Sequence, residues 1–155
     1  ITKRNHDFVR DTLRAAGVNL NRVEVRSADF HEVSQQISRM DAGIFFIRPA
    51  WSKRASCPTR MGEFLACGKP CFSNGGVGDV AEDLHQTGTG IALAPIGTDS
   101  IDLSGLDAAL ERLFKMAADP EISIRCRKVA KKRFSLLEGV KAYSSVYQKL
   151  ADSLS

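Results

Sequence analysis

Residues 59–73, Thr59-Arg60-Met61-Gly62-Glu63-Phe64-Leu65-Ala66-Cys67-Gly68-Lys69-Pro70-Cys71-Phe72-Ser73, decide the fold reading. Thr59 to about Cys67 reads as a short helix. Gly68 supplies its C-terminal cap and Pro70 bars continuation. Pro70 to Ser73 then reads as a strand. Upstream, Gly43-Ile44-Phe45-Phe46-Ile47 is a continuous apolar run ended by Arg48-Pro49, the pattern of a strand buried on both faces. Downstream, Asn74-Gly75-Gly76-Val77-Gly78 reads as a loop, Asp79-x-x-Glu82 as a capping box opening a helix, and Gly90 to Ala94 as a last strand.

The N-terminal part continues the alternation. Ile1 and Thr2 read as the tail of a strand. Phe8, Val9, Leu13 and Ala16 fall on one helical face that Gly17 ends. Val23 and Val25 alternate with charges as in a short strand, and Phe30, Val33, Ile37 and Met40 form a second helical stripe. The order β-α-β-α-β-α-β-α-β predicts one α/β domain over residues 1–155, a Rossmann-like doubly wound parallel sheet with helices on both faces. Three helices follow: one striped by Leu106, Leu110, Leu113 and Phe114, one carrying Ile122, Cys126 and Val129, and one with Val140, Tyr143, Tyr147, Leu150 and Leu154 in a narrow heptad-like seam. Such a seam calls for a partner surface. A doubly wound half usually opens with its own strand, glycine turn and helix. The chain is therefore expected to be a fragment lacking at least one β-α unit.

Composition narrows the function. The chain has 155 residues, 43% hydrophobic, with 22 Lys+Arg against 18 Asp+Glu. That length and apolar content suit one packed core. The excess of +4 is too small to imply a nucleic-acid partner. No apolar run approaches the roughly 20 residues of a membrane-spanning helix. Cys57, Cys67, Cys71 and Cys126 form no C-x-x-C pair and His6, His31 and His85 are scattered, so no zinc pattern is present. Cys67 and Cys71 read as small buried residues, and this thiol usage fits a reducing, cytosolic compartment.

Chemistry concentrates between Trp51 and Glu63. Ligands of open α/β sheets bind beyond the carboxyl ends of the strands, and backbone N–H groups from Thr59 onward would favour an anion such as a diphosphate. Lys53, Arg54 and Arg60 add positive charge. A solvated basic loop capped by Thr59 fits the same residues. Glu63, one turn into the helix, is placed to accept hydrogen bonds from a ribose diol, though a carboxylate there is also favoured by the helix dipole. Gly75-Gly76-Val77-Gly78 would admit a ligand to the backbone but equally makes a tight turn. It lacks the G-x-G-x-x-G spacing. Arg125, Arg127, Lys128, Lys131, Lys132 and Arg133 make a basic helix, suited either to peripheral contact with anionic lipid or to a solvated face.

The stretch from Ser56 to Asp79 resembles the donor-site signature of retaining glycosyltransferases of the GT-B fold, family four. Ser56, Pro58, Arg60 and Glu63 match the family's S-x-P-x-K-x-x-E variant. The resemblance covers the C-terminal, nucleotide-binding domain, nearly the whole chain. It implies that Glu63 holds the ribose hydroxyls, and that Cys57, Pro58, Thr59 and Arg60 form the turn binding the diphosphate and donor sugar. Ser27 and Ala28 would lie near the nucleobase, and Asn74 to Gly78, with Gly75 and Gly76, would face the interdomain cleft. The first glutamate of the family's pair falls at Ala55, leaving the sugar to Ser56 and backbone.

What the resemblance implies is transfer of a hexose-like sugar from a UDP- or GDP-linked donor to a glycan or lipid-linked acceptor, in the cytoplasm. An N-terminal domain of the same chain completes the cleft, with no metal in this domain, no other cofactor and no protein nucleophile. A GT-B-like sugar-nucleotide epimerase and a non-catalytic nucleotide- or protein-binding module are the alternatives.

Overall fold

The structure is a computed structural model that describes residues 1–2, 4–96 and 100–153. By its internal contacts the chain divides into two compact units, Ile1–Arg39 and Met40–Ser155.

In the first unit Asn5 opens α1 (His6–Ala15), its side-chain oxygen accepting from the N–H groups of Asp7 and Phe8, as a helix N-terminus requires. The expected strands of this unit are absent from the described residues. Ile1, Thr2 and the Val23–Val25 segment run without a ladder, and Thr2 N–H donates to Arg26 O just beyond that segment at 2.9 Å. A 3-10 turn, Leu20–Arg22, precedes that segment, with Asn19 as its cap. The second stripe is only partly helical: α2 spans Val33–Ser38, and Phe30 sits in the preceding turn at 92% exposure.

In the second unit three parallel strands stand in the order β1 (Gly43–Ile44), β2 (Cys71–Asn74), β3 (Gly90–Leu93). Parallel neighbours need crossovers, and α3 (Thr59–Ala66) and α4 (Val80–Thr87) provide them. The five-strand expectation therefore reduces to three parallel strands among the described residues, and the alternation of strand and helix is kept. α3 ends as expected: Gly68 takes φ +78°, and Lys69 N–H reaches back to Phe64 O.

Both faces of the sheet are packed. Phe72, Ile91 and Leu93 form a core with Ala109 and Leu113 of α5 (Leu106–Ala117). On the opposite face Gly43 leaves the room that the Phe64 ring of α3 takes, and Gly90 approaches Leu84 of α4. Cys126, on α6 (Ile122–Arg133), and Cys71 are both buried. Burial pushes the Cys71 thiol far up and that of Cys126 up to about 11, so both are inert thiols.

Three expectations are corrected in this unit, and one element is added. β1 is an edge strand and not buried on both faces: Ile44 is 57% and Phe46 44% exposed, Phe46 meeting Phe72 edge-on. Asp79 makes no capping bond, because its φ −93°, ψ 14° is not the extended geometry a capping side chain needs. Phe114 points outward at 67% exposure. An antiparallel pair, β4 (Pro95–Ile96) with β5 (Ser100–Ile101), follows β3 and had no sequence signal. The last helix, α7 (Leu136–Ser153), buries none of its residues, and Leu154 lies outside the described residues.

Asn74 ties the strand ends together. Fully buried, it accepts from Ile47 N–H and donates to Ile47 O and Gly75 O, all at 2.9 Å. Its carboxamide continues the ladder where β1 has left it. Asn74→Ala removes these bonds and strands the Ile47 peptide, a cost of about 2 kcal/mol. That corresponds to a fall in Tm of roughly 4–8 °C, read by thermal denaturation. An unchanged Tm would deny the clamp its role.

Candidate functional site

The loops leaving β1 and β2 meet at one glycine. Gly78 has φ +44°, its N–H donates to Lys53 O at 3.0 Å, and a Cβ there would stand 2.1 Å from Ser56 O. Only glycine permits both the angle and the approach. The glycine run thus holds the Trp51–Pro58 loop against the start of α4. Gly75 is engaged likewise, donating to Leu93 O at 2.8 Å, and Gly76, at φ +78°, lies beside Pro95.

The structure distributes the candidate residues over separate surfaces. Ser56, Cys57 and Pro58 line a recess of about 130 Å³ shared with Gly78, Asp79 and Asp83. Arg54 lines it as well, so two carboxylates share the recess with one guanidinium. Desolvation, then the carboxylates of Asp83 and Asp79, push the Cys57 thiol up. Asp83 is buried and held by Arg133 of α6.

Thr59 and Glu63 lie on another side of α3, in a groove of about 640 Å³ against α6, with Arg127, Lys131 and Phe134. The N-cap of α3 is Pro58, which offers no side-chain acceptor, and Thr59 is the first helical residue instead of the cap. Arg60 donates to Glu63 at 3.1 Å, both side chains partly exposed. The groove therefore presents a carboxylate, two cations one turn apart on α6 and an aromatic ring, within the size range of small-molecule sites. Ser27 and Ala28 belong to the first unit, where Ser27 Oγ donates to Thr2 O at 3.1 Å and stands 3.0 Å from His6 Nε2. Ala28 is buried.

Phe134 and Asp83 carried no sequence signal as site residues, and Arg127 and Lys131 read only as part of a basic helix. Their i, i+4 spacing was the available clue that both point to one side. Among the described residues no group of three or more His, Cys, Asp and Glu could hold a metal ion. Compared with protein-family models, curated proteins and solved structures, the chain matches none.

Two measurements check this geometry. Gly78→Ala should lower stability by at least the ~1–2 kcal/mol of a left-handed residue with a Cβ, read from a urea transition; a neutral result would mean the loops do not touch there. Alkylation of Cys57, followed by peptide mass spectrometry, should run slowly at pH 8 because only thiolate reacts. Asp79→Asn removes a negative charge that disfavours the thiolate, so the rate profile should move to lower pH. A profile that stays put would place Asp79 away from the thiol.

Proposed function

We propose that this chain is the donor-nucleotide half of a glycosyltransferase, a Rossmann-like doubly wound domain of GT-B type, acting on a nucleoside-diphosphate sugar. The observation that carries the reading is the α3–α6 groove, which sets Glu63 near Arg127 and Lys131 in a cleft of about 640 Å³. The Ser56–Asp79 resemblance supports it from the sequence.

In this reading Glu63 accepts from the ribose hydroxyls, as the acidic residue of dinucleotide folds does. Arg127 and Lys131 bind the diphosphate, Arg60 steers Glu63 through their ion pair, and Phe134 offers a flat apolar surface to the base. As the sugar departs, negative charge grows on the diphosphate. Fixed cations and the N–H groups at the start of α3 stabilise it, and no covalent intermediate with the protein is needed. The acceptor, a glycan or lipid-linked sugar, would be presented by an N-terminal domain, whose closure excludes water. The protein would work in the cytoplasm, with no metal in this domain.

One observation favours a second reading, a nucleotide-binding module without transfer. The recess at Ser56–Pro58, where the resemblance puts the donor sugar, is lined by Ala55 and by two carboxylates, Asp79 and Asp83, against one guanidinium, Arg54. Two carboxylates to one cation there disfavour a diphosphate.

Calorimetric titration with UDP, GDP and ADP tests the proposal. One nucleotide should bind saturably, and Glu63→Gln should weaken it about tenfold or more, the worth of a hydrogen bond to a charged group. Arg127→Gln should weaken nucleoside diphosphate more than nucleoside. Failure of all three nucleotides to bind a folded chain would overturn the reading. Binding of a nucleotide with no release of free nucleotide from the matching sugar donor, when the full-length protein is given acceptors, would select the second.

A further inference from the structure

We propose that the recess between α4 and α6 binds a phosphoryl dianion, as carried by inorganic phosphate or a small phosphomonoester. The recess holds about 290 Å³ and is lined by Thr87 of α4 and by Arg125, Lys128, Val129, Lys132 and Arg133 of α6. It shares no lining residue with the α3–α6 groove. Among the described residues no carboxylate lines it.

The twelve residues of α6 carry six Lys and Arg and no acid, and four of the six have other engagements. Arg127 and Lys131 line the α3–α6 groove. Arg125 and Arg133 are paired, with Asp119 and Asp83. Lys128 and Lys132 remain, with no ion pair among the described residues. Four cations thus line the recess, and two carboxylates answer them from outside it, which leaves two positive charges unmatched.

The ion pairs also shape the recess. Arg125 donates to Gly88 O, just past the end of α4, at 3.2 Å, and Arg133 reaches Asp83 within α4. The two guanidiniums are therefore tied to the α4 side, one before and one after the lysines along α6. Both keep further N–H groups for a ligand, since a guanidinium carries about five. Lys128 and Lys132 stand four residues apart on one face of α6, where like charges weaken a helix. An anion held between them removes that repulsion.

The charge count selects the ligand. A phosphomonoester group carries about −1.5 to −2 at pH 7, which matches the two lysines, and its free oxygens accept from guanidinium donors. A phosphodiester brings a single charge per phosphate and leaves one lysine unmatched. The recess has less than half the volume of the α3–α6 groove, about 290 against about 640 Å³, so it suits a smaller ligand than a nucleotide.

Calorimetric titration of the 155-residue chain with inorganic phosphate, glycerol 2-phosphate and dimethyl phosphate tests this. Saturable binding of a dianion is expected, and the tighter of the first two names its source. Dimethyl phosphate, a monoanionic diester, should bind about tenfold more weakly or worse, the loss of one charge-assisted contact. Lys128→Gln and Lys132→Gln should each weaken the dianion about tenfold, and Lys128→Arg should retain it. Both lysines are exposed, and Gln suits a helix about as well as Lys, so these variants fold. Arg127→Gln should leave phosphate binding unchanged, and the lysine variants should leave nucleotide affinity at the groove unchanged, so the two proposals fail separately. No saturable binding of either dianion overturns the proposal, as does equal affinity for the diester. Loss of phosphate binding in Arg127→Gln, with the lysine variants unaffected, overturns it too and puts the anion in the α3–α6 groove.

Discussion

A single buried carboxamide determines where this sheet stops. Backbone groups removed from water must find partners, and the Ile47 peptide leaves β1 beyond the reach of a strand neighbour. Asn74 supplies an acceptor to the N–H and a donor to the C=O of that one residue, and a second donor to Gly75 O. β1 ends opposite Phe72 while β2 runs on to Asn74 beside β3, and the carboxamide at that end holds the segment that has already left β1. Trp51–Pro58, the first turn of α3 and the glycine run before α4 inherit their positions from that termination. An apolar residue of similar size could fill the space but could not match the peptide.

The elements legible in the sequence are those whose causes are local. α3, its glycine terminus, Pro70 and β2 follow each other within sixteen residues, and each signal acts on its immediate neighbours. Asn5 before α1 is of the same kind. The misreadings have non-local causes. Whether Gly43–Ile47 is buried on one face or two depends on its rank in the sheet, which its own apolarity does not encode. Val23 and Val25 alternate correctly, yet a strand needs a ladder partner. Asp79 and Glu82 have the spacing of a capping box, but the left-handed Gly78 and its contact with Ser56 leave Asp79 in the wrong conformation.

The candidate site was half legible for the same reason. Residues 56 to 63 are contiguous, so the sequence suggested one mouth. Ser56–Pro58 lie in the loop before α3 and stay beside two carboxylates, while the helix, beginning at Thr59, carries Thr59 and Glu63 on one side toward two cations. Those partners come from α4 and α6, more than fifteen and sixty residues away. Gly78, which looked like ligand access, is occupied by the chain's own Ser56 carbonyl.

The ion pair between Asp83 and Arg133 stands between two cavities. Asp83 lines the recess beside Cys57, and Arg133 lines, with Arg125, Lys128 and Lys132, a second, basic recess of about 290 Å³ on α6. An anion entering the basic recess competes with Asp83 for the guanidinium. To the extent that it succeeds, it returns negative charge to the recess beside Cys57. Thermodynamic reciprocity then requires the converse: neutralising Asp83 from its own side strengthens the hold of Arg133 on an anion. The two recesses are thereby terminals of one electrostatic linkage, carried by the ion pair between α4 and α6.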